Sequence, residues 1–389
     1  MKKINFVVLA SLALLALLIA GCSQTPTGEV VKKEEVIKIG FIGPLTGDAA
    51  VVGIGEKNAV DIAVEEINNA GGIDGRPLQA IFEDGKCSGK EAATAAQKLI
   101  NIDNVKIILG GACSSETLGA APITEANKVI LFSAFSSSPD ITYAGDYVFR
   151  TTIPDTHPDL IGPLLHYIAE NKRIAIITEN SDYAIGIRKG LKEQLPSFNV
   201  DIVADERYAS GEKDFRTYLT KIKSVNPDAL FINVATSGNT PGLIIKQAAE
   251  LGMDVKIYGN FLLFAPESVE LVGDLLEGAK VFDAPLLDKS NPKADAFMEK
   301  YNSRYKEPFS FWDAGARYDT VYITKNALEE CGEDTDCIRD YLYDMDWYLG
   351  TIGKYKFDKK GDVLGIKGAV KELVNREAVL VEYSEAVIR

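Results

Sequence analysis

Apolar positions along the 389 residues fall into two repeating textures. Short unbroken apolar runs, such as residues 36–42, 105–109 and 129–132, have the length and composition of buried strands. Between them lie stretches whose apolar residues recur every three or four positions. In residues 55–69, Ala59, Ile62, Ala63 and Ile67 share a helical face, and Gly71-Gly72 ends the run. On this reading, strands at 36–42, 78–82, 105–109 and 129–132 alternate with helices at 55–69, 91–100 and 116–127. The cycle restarts after Asp155. Strands at 173–178, 200–208, 229–233 and 255–258 alternate with helices at 184–195, 214–225 and 241–251. Such alternation predicts parallel sheets covered by helices on both faces.

Two such blocks predict two doubly wound α/β lobes; the rival is a single eight-fold barrel. The break at 144–158, with Tyr147-Val148-Phe149-Arg150, Pro154 and Pro158, weighs against the barrel. The tail does too: helices at 293–305, 314–331 and 335–343 precede short strands at 354–357, 368–371 and 379–382, expected to pair antiparallel.

The first residues read as an address. Lys2 and Lys3 precede an apolar run at 4–20, which meets Gly21-Cys22. Leu18-Ile19-Ala20-Gly21-Cys22 resembles the lipobox of bacterial lipoproteins, in which the Cys receives lipid; an N-terminal membrane anchor is the competing reading. Residues 1–21 are therefore expected to be a lipoprotein signal, Cys22 the lipidated residue, and 22–35, which lack an apolar period, a flexible tether. The four remaining cysteines suit two disulfides in an exported protein. Nearest pairing gives Cys87–Cys113 and Cys331–Cys337. The first closes a loop of about 26 residues, worth about 3 kcal/mol in the chain-entropy model. A four-thiolate metal site is the rival, and no Cys-x2-Cys pair supports it.

Charge narrows the partners. Lys and Arg number 42 against 56 Asp and Glu, a net charge of −14, which argues against nucleic acid. With only two histidines, a His-rich metal centre has little material. No cofactor loop and no Gly-x-Ser-x-Gly elbow is present, and His157 and His166 read as capping or solvent-facing residues. Two polar segments stand at carboxyl ends of predicted strands, where open α/β sheets bind ligands. They are Cys113-Ser114-Ser115-Glu116-Thr117 and Ser133-Ala134-Phe135-Ser136-Ser137-Ser138-Pro139. Backbone N–H groups at a helix start, with Ser hydroxyls, accept a carboxylate well. Plain N-caps and turns would use the same residues, and spacing leaves both readings open.

At these residues the chain resembles a known family. "IKIGFIGPLTGDAA", "AVDIAVEEINNAGGIDGRPLQAIFEDGKC", "GGACSSET", "FSAFSSSPDIT", "YVFRTT", "GEKDFRTYLTKIK" and "YDTVY" are similar, in order and spacing, to periplasmic binding proteins of the leucine/isoleucine/valine type. The resemblance runs from about residue 36 to the C-terminus. It implies a two-lobed type I solute-binding protein with three crossings between lobes, serving an ABC importer permease. Lobe 1 would combine 36–155 with 284–349, and lobe 2 would combine 156–283 with 350–389. The family's first disulfide matches Cys87 and Cys113.

The resemblance also implies a site. Ser114 and Ser137 would meet the ligand carboxylate, the Phe135 carbonyl and the Ser137 hydroxyl its ammonium, and Tyr183 would cover it from the second lobe. Two positions depart. Phe261, preceded by Asn260, stands where the family often has an acid for the ammonium, and Val52 where it has a pocket Tyr. A buried ammonium without a counter-charge costs several kcal/mol, so Asp313 is the first candidate to replace that acid, unless the ligand lacks an α-ammonium. The expected solute is a hydrophobic or branched-chain amino acid, or a related small carboxylate or amide. Trp312 reads as core or hinge packing. A monomer held to the membrane by lipid alone, without cofactor or metal, is expected. A sensing receptor module of the same fold is the alternative; an exported enzyme lacks an assembled nucleophile–base pair.

Overall fold

The computed structural model describes residues 35–235, 238–284, 287–288, 290–306, 308 and 310–383. Two open sheets organise it. The first is built from β1 (Ile37–Gly43), β2 (Leu78–Asp84), β3 (Ile107–Gly110), β4 (Ile130–Ser133) and β5 (Val148–Arg150), in the order β2-β1-β3-β4-β5. All of its pairings are parallel. Every residue of β3 and β4 is buried, as strands covered on both faces require. The second sheet takes β6 (Arg173–Glu179), β7 (Asp201–Tyr208), β8 (Ala229–Asn233), β9 (Lys256–Asn260) and β10 (Lys280–Asp283) in the order β7-β6-β8-β9-β10, again all parallel. Each sheet thus repeats one winding, with the first strand of its block between the second and third. The barrel is excluded, and the chain has the two doubly wound lobes expected.

Three further strands, β11 (Tyr348–Gly350), β12 (Gly353–Phe357) and β13 (Val363–Leu364), make a small antiparallel sheet. The last two, β14 (Ala369–Val374) and β15 (Glu377–Tyr383), extend the second sheet antiparallel beyond β10. The small sheet packs on the first lobe: the Phe357 ring lies 5.5 Å from Phe132 and 5.6 Å from Phe149. Arg150 donates to Asp362 at 2.6 Å and its backbone N–H to the Gly361 carbonyl. We place the three crossings after β5, after β10, and at 365–368. The last would lie later than the expected 349/350, since Phe357 of β12 packs against Phe132 of β4 and Phe149 of β5.

Helix limits follow local chemistry. The helix Ala50–Asn69 buries Ala59, Ile62, Ala63 and Ile67, the predicted face, and begins earlier than the apolar period suggests. It stops at Gly71 and Gly72, with φ of +108° and +77°; a Cβ on Gly72 would stand 2.2 Å from the Arg76 carbonyl oxygen. His157 caps the helix Pro158–Ile168 by accepting the Asp159 N–H, in line with its bland reading. Strands β5 and β10 and the helices Pro158–Ile168 and Pro266–Val272 lie outside the sequence assignment. No helix among the described residues is long and apolar enough to cross a membrane. Residues 1–21, Cys22 and the tether up to 34 lie outside the described residues.

One buried ion pair joins the C-terminal half to the first sheet. Arg317, on the helix Phe311–Cys331, donates from Nε and Nη2 to Glu56 Oε2 at 3.1 and 2.9 Å. Its Nη1 donates to the Phe132 carbonyl at 2.7 Å, at the end of β4. Neither side chain reaches solvent. Burial raises the Glu56 carboxyl against the opposing pull of Arg317. Removing one partner of such a pair strands the other. Arg317→Leu is expected to cost about 3–5 kcal/mol in urea unfolding, and Arg317→Met combined with Glu56→Gln to cost measurably less.

Candidate functional site

The first lip of the site forms where β3 and β4 end. After Gly110 the chain turns through Gly111, Ala112 and Cys113 into the helix Ser114–Ala126. Glu116, fully buried in its first turn, reaches back. Its Oε2 accepts the N–H groups of Ala112 and Cys113 at 3.1 and 3.0 Å, and its Oε1 accepts that of Cys87 at 2.9 Å. Burial still pushes this carboxyl up, to about 7. Only glycine fits above it, since a Cβ on Gly111 would meet the Glu116 Cβ at 2.3 Å. The disulfide Cys87–Cys113 closes the same loop, with Cα atoms 5.2 Å apart. Cys331 and Cys337 form the second disulfide. Both pairings are those expected.

The two serine segments are laced together. Ser133 Oγ and Ser136 Oγ donate to the Gly111 carbonyl at 2.7 and 2.9 Å, and Ser136 Oγ lies 2.6 Å from Thr117 Oγ1. Ser114 Oγ accepts the Ser138 N–H at 3.1 Å. Ser137 Oγ donates to Asp155 Oδ2 at 2.6 Å. Turn-building thus occupies Ser133 and Ser136. Ser114 keeps its hydroxyl proton, and Ser137 its lone pairs, for something else.

The opposite lip comes from the second sheet. Ser181 caps the helix Asp182–Gln194, and Tyr183 stands in its first turn. The Tyr183 hydroxyl oxygen is buried and has no hydrogen-bond partner among the described residues. Burial, then the nearby acids Asp155, Asp283 and Asp313, hold its proton on firmly. Phe261, just after β9, brings its ring to 6.0 Å from Phe135, in an edge-to-face contact from lobe to lobe. A cleft of about 360 Å³ between the lips is lined by Ser114, Phe135, Ser137, Tyr183 and Phe261, with Val52 at its edge. The structure therefore brings five of the six sequence-derived residues into one cavity, at carboxyl ends of strands in both sheets.

Asp313 is not among them. It lies in the first turn of the helix Phe311–Cys331 and lines a second cavity, also of about 360 Å³, on the other side of the Phe135–Phe261 pair. A buried acid that does line the cleft is Glu179, which sequence reasoning missed. It ends β6, is 1% exposed, accepts the Ser210 hydroxyl at 2.6 Å and accepts the Ala235 N–H at 2.8 Å. Its signal was there: an acid directly closing the apolar run 173–178 sits at a strand's carboxyl end. Asp155 was missed likewise, since its bond to Ser137 joins residues 18 apart. Among the described residues, no three His, Cys, Asp or Glu stand where they could hold a metal ion.

Burial, resisted by Ser137 and Arg150, pushes the Asp155 carboxyl from 3.8 to about 8. The folded protein therefore binds this proton more tightly than the unfolded chain does. The stability this contributes is complete below pH 3.8 and is lost as the pH climbs toward about 8. Thermal midpoints measured from pH 5 to 8 should fall with pH, and Asp155→Asn should flatten that slope.

The sequence matches the periplasmic binding protein family over residues 36–366. It is 29% identical over 346 residues to a leucine-, isoleucine-, valine-, threonine- and alanine-binding protein of Pseudomonas aeruginosa, covering 87% of this chain and 90% of that one. It is 28% identical over 365 residues to the Leu/Ile/Val-binding protein of Escherichia coli, covering 91% and 95%. Among solved structures, a leucine-binding protein of Thermotoga maritima matches with TM-score 0.78 at 26% identity, over 90% of this chain and 99% of that one. A branched-chain amino acid transporter substrate-binding protein of Streptococcus pneumoniae, in complex with isoleucine, matches with TM-score 0.75 at 29% identity, over 89% and 99%. These relatives are solute-binding proteins, not enzymes. With its two like-wound lobes and the cleft between their strand ends, the chain belongs to the periplasmic binding protein family.

Proposed function

We propose that this protein captures a small solute with a carboxylate head and an apolar body, an amino acid being the leading case, and delivers it to an ABC importer permease. The single observation carrying this reading is the cleft that joins Ser114 and Ser137 on one lip to Tyr183 on the other. The first turn of the helix Ser114–Ala126 offers a positive dipole end and the Ser114 hydroxyl to a carboxylate. The Ser137 hydroxyl and the Phe135 carbonyl suit an ammonium, and Glu179 supplies the counter-charge that Phe261 does not. Tyr183 brings a buried hydroxyl that lacks a partner among the described residues. A solute that bonds both lips at once favours the closed arrangement by its differential affinity. The relatives' naming as amino-acid-binding proteins supports the same reading.

Export follows from residues 1–21 as a lipoprotein signal, with Cys22 carrying lipid and 23–35 serving as tether. The protein would then work outside the cytoplasmic membrane, as a monomer facing its permease.

Calorimetry with L-leucine tests the site. Ser114→Ala and Ser137→Ala should each weaken binding by about 1–3 kcal/mol, the cost of a buried group left unpaired. Unchanged affinity in both overturns the carboxylate site. Glu179→Gln should weaken L-leucine at least about tenfold, or about 1.4 kcal/mol, and leave 4-methylpentanoate, which has no ammonium, nearly untouched.

A further inference from the structure

The second cavity adjoins the first. Phe135, Ser137, Phe261 and Leu262 line both, so the aromatic pair divides one space into a serine-lined cleft and an inner chamber. The chamber lies by the crossings, with Asp155 after the first, Asp283 at the second and Ile366 in the third. Its chemistry differs from that of the cleft. Among the described residues, Asp155, Asp283 and Asp313 face it, against one base, Lys371, which is paired with Asp283. Asp155 and Asp313 are each 4% exposed, and neither has a cation within ion-pair distance among the described residues. Asp155 is partnered by the Ser137 hydroxyl, and Asp313 by Ser310. The remaining wall includes Phe311 and Trp312.

A purely apolar tail entering here would set two buried carboxyl groups against hydrocarbon, an unfavourable exchange. A cation would meet carboxylates and aromatic faces together, the combination that holds ammonium and guanidinium groups. Resting on the proposed head site at Ser114 and Ser137, we propose that the inner chamber receives the far end of the solute, and that this end carries an ammonium or guanidinium group held chiefly by Asp313 beside Trp312. Burial and the neighbouring acids Glu56 and Asp283 hold the Asp313 carboxyl far above its usual range while the chamber lacks such a partner. An arriving positive charge reverses that preference. The solute class is thus narrower than the relatives' names suggest: an acid head, an apolar body that displaces the Phe135–Phe261 contact, and a cationic tail.

L-lysine and L-norleucine share head and carbon chain and differ in the terminal ammonium, so they separate this proposal from the head site. Calorimetry of the full mature protein should show lysine binding at least about tenfold more tightly than norleucine. Asp313→Asn should erase most of that advantage while leaving norleucine within about twofold, which also reports that the variant is folded. Norleucine binding as tightly as lysine in the unaltered protein overturns the proposal. So does a lysine advantage that survives Asp313→Asn. Ser114→Ala provides the independent control. Equal weakening of both probes keeps the head site whatever the tail result, whereas no change for either removes the head site instead.

Discussion

A single buried carboxylate holds the first lip together. Glu116 takes N–H groups from Ala112, Cys113 and Cys87, bridging two loops that no secondary structure connects. A turn at a sheet's carboxyl edge leaves backbone donors without ladder partners, and burying them unpaired is costly. Glu116 satisfies three at once. The Cys87–Cys113 bond limits how far the same loops separate when the chain unfolds, so side chain and cross-link act on one element from opposite states. Ser114 inherits its position from this arrangement. Ser136 and Ser133 then tie the neighbouring turn to the Gly111 carbonyl. Placing Ser137 is the last step of a chain of bonds that starts at one acid.

The two lobes were legible because their physics is local. Apolar runs at 36–42, 105–109 and 129–132 declare buried strands by length alone, and Ala59, Ile62, Ala63 and Ile67 declare a helix by period. Strand β5 was lost because three residues cannot establish a period, although Phe149 is fully buried. The helix Pro158–Ile168 was lost because Pro158 reads as a breaker, yet it opens the helix. The membership of β12 and β13 was invisible: nothing local reveals that Phe357 will lie against Phe132 and Phe149.

The site divides the same way. Ser114, Phe135, Ser137, Tyr183 and Phe261 were found through motif order, and four of them follow strands directly enough to be placed at the right edge. Asp313 was chosen for its charge. Charge does not fix depth, however, and the Phe135–Phe261 pair stands between it and the serines. Glu179 shows the converse. An acid at the end of a buried strand looks like a boundary marker, and only the tertiary approach of Ser210 and Ala235 shows it held over the cleft.

The aromatic pair has a bearing on how fast the molecule works. One ring is carried by each lobe, so parting the lips forfeits their contact, which for such pairs is worth about 0.5–1.5 kcal/mol beyond the area they bury. In the proposed capture, parting the lips would break that contact at each entry and each release of solute. Under that reading, a smaller side chain at Phe261 would trade residence time for turnover.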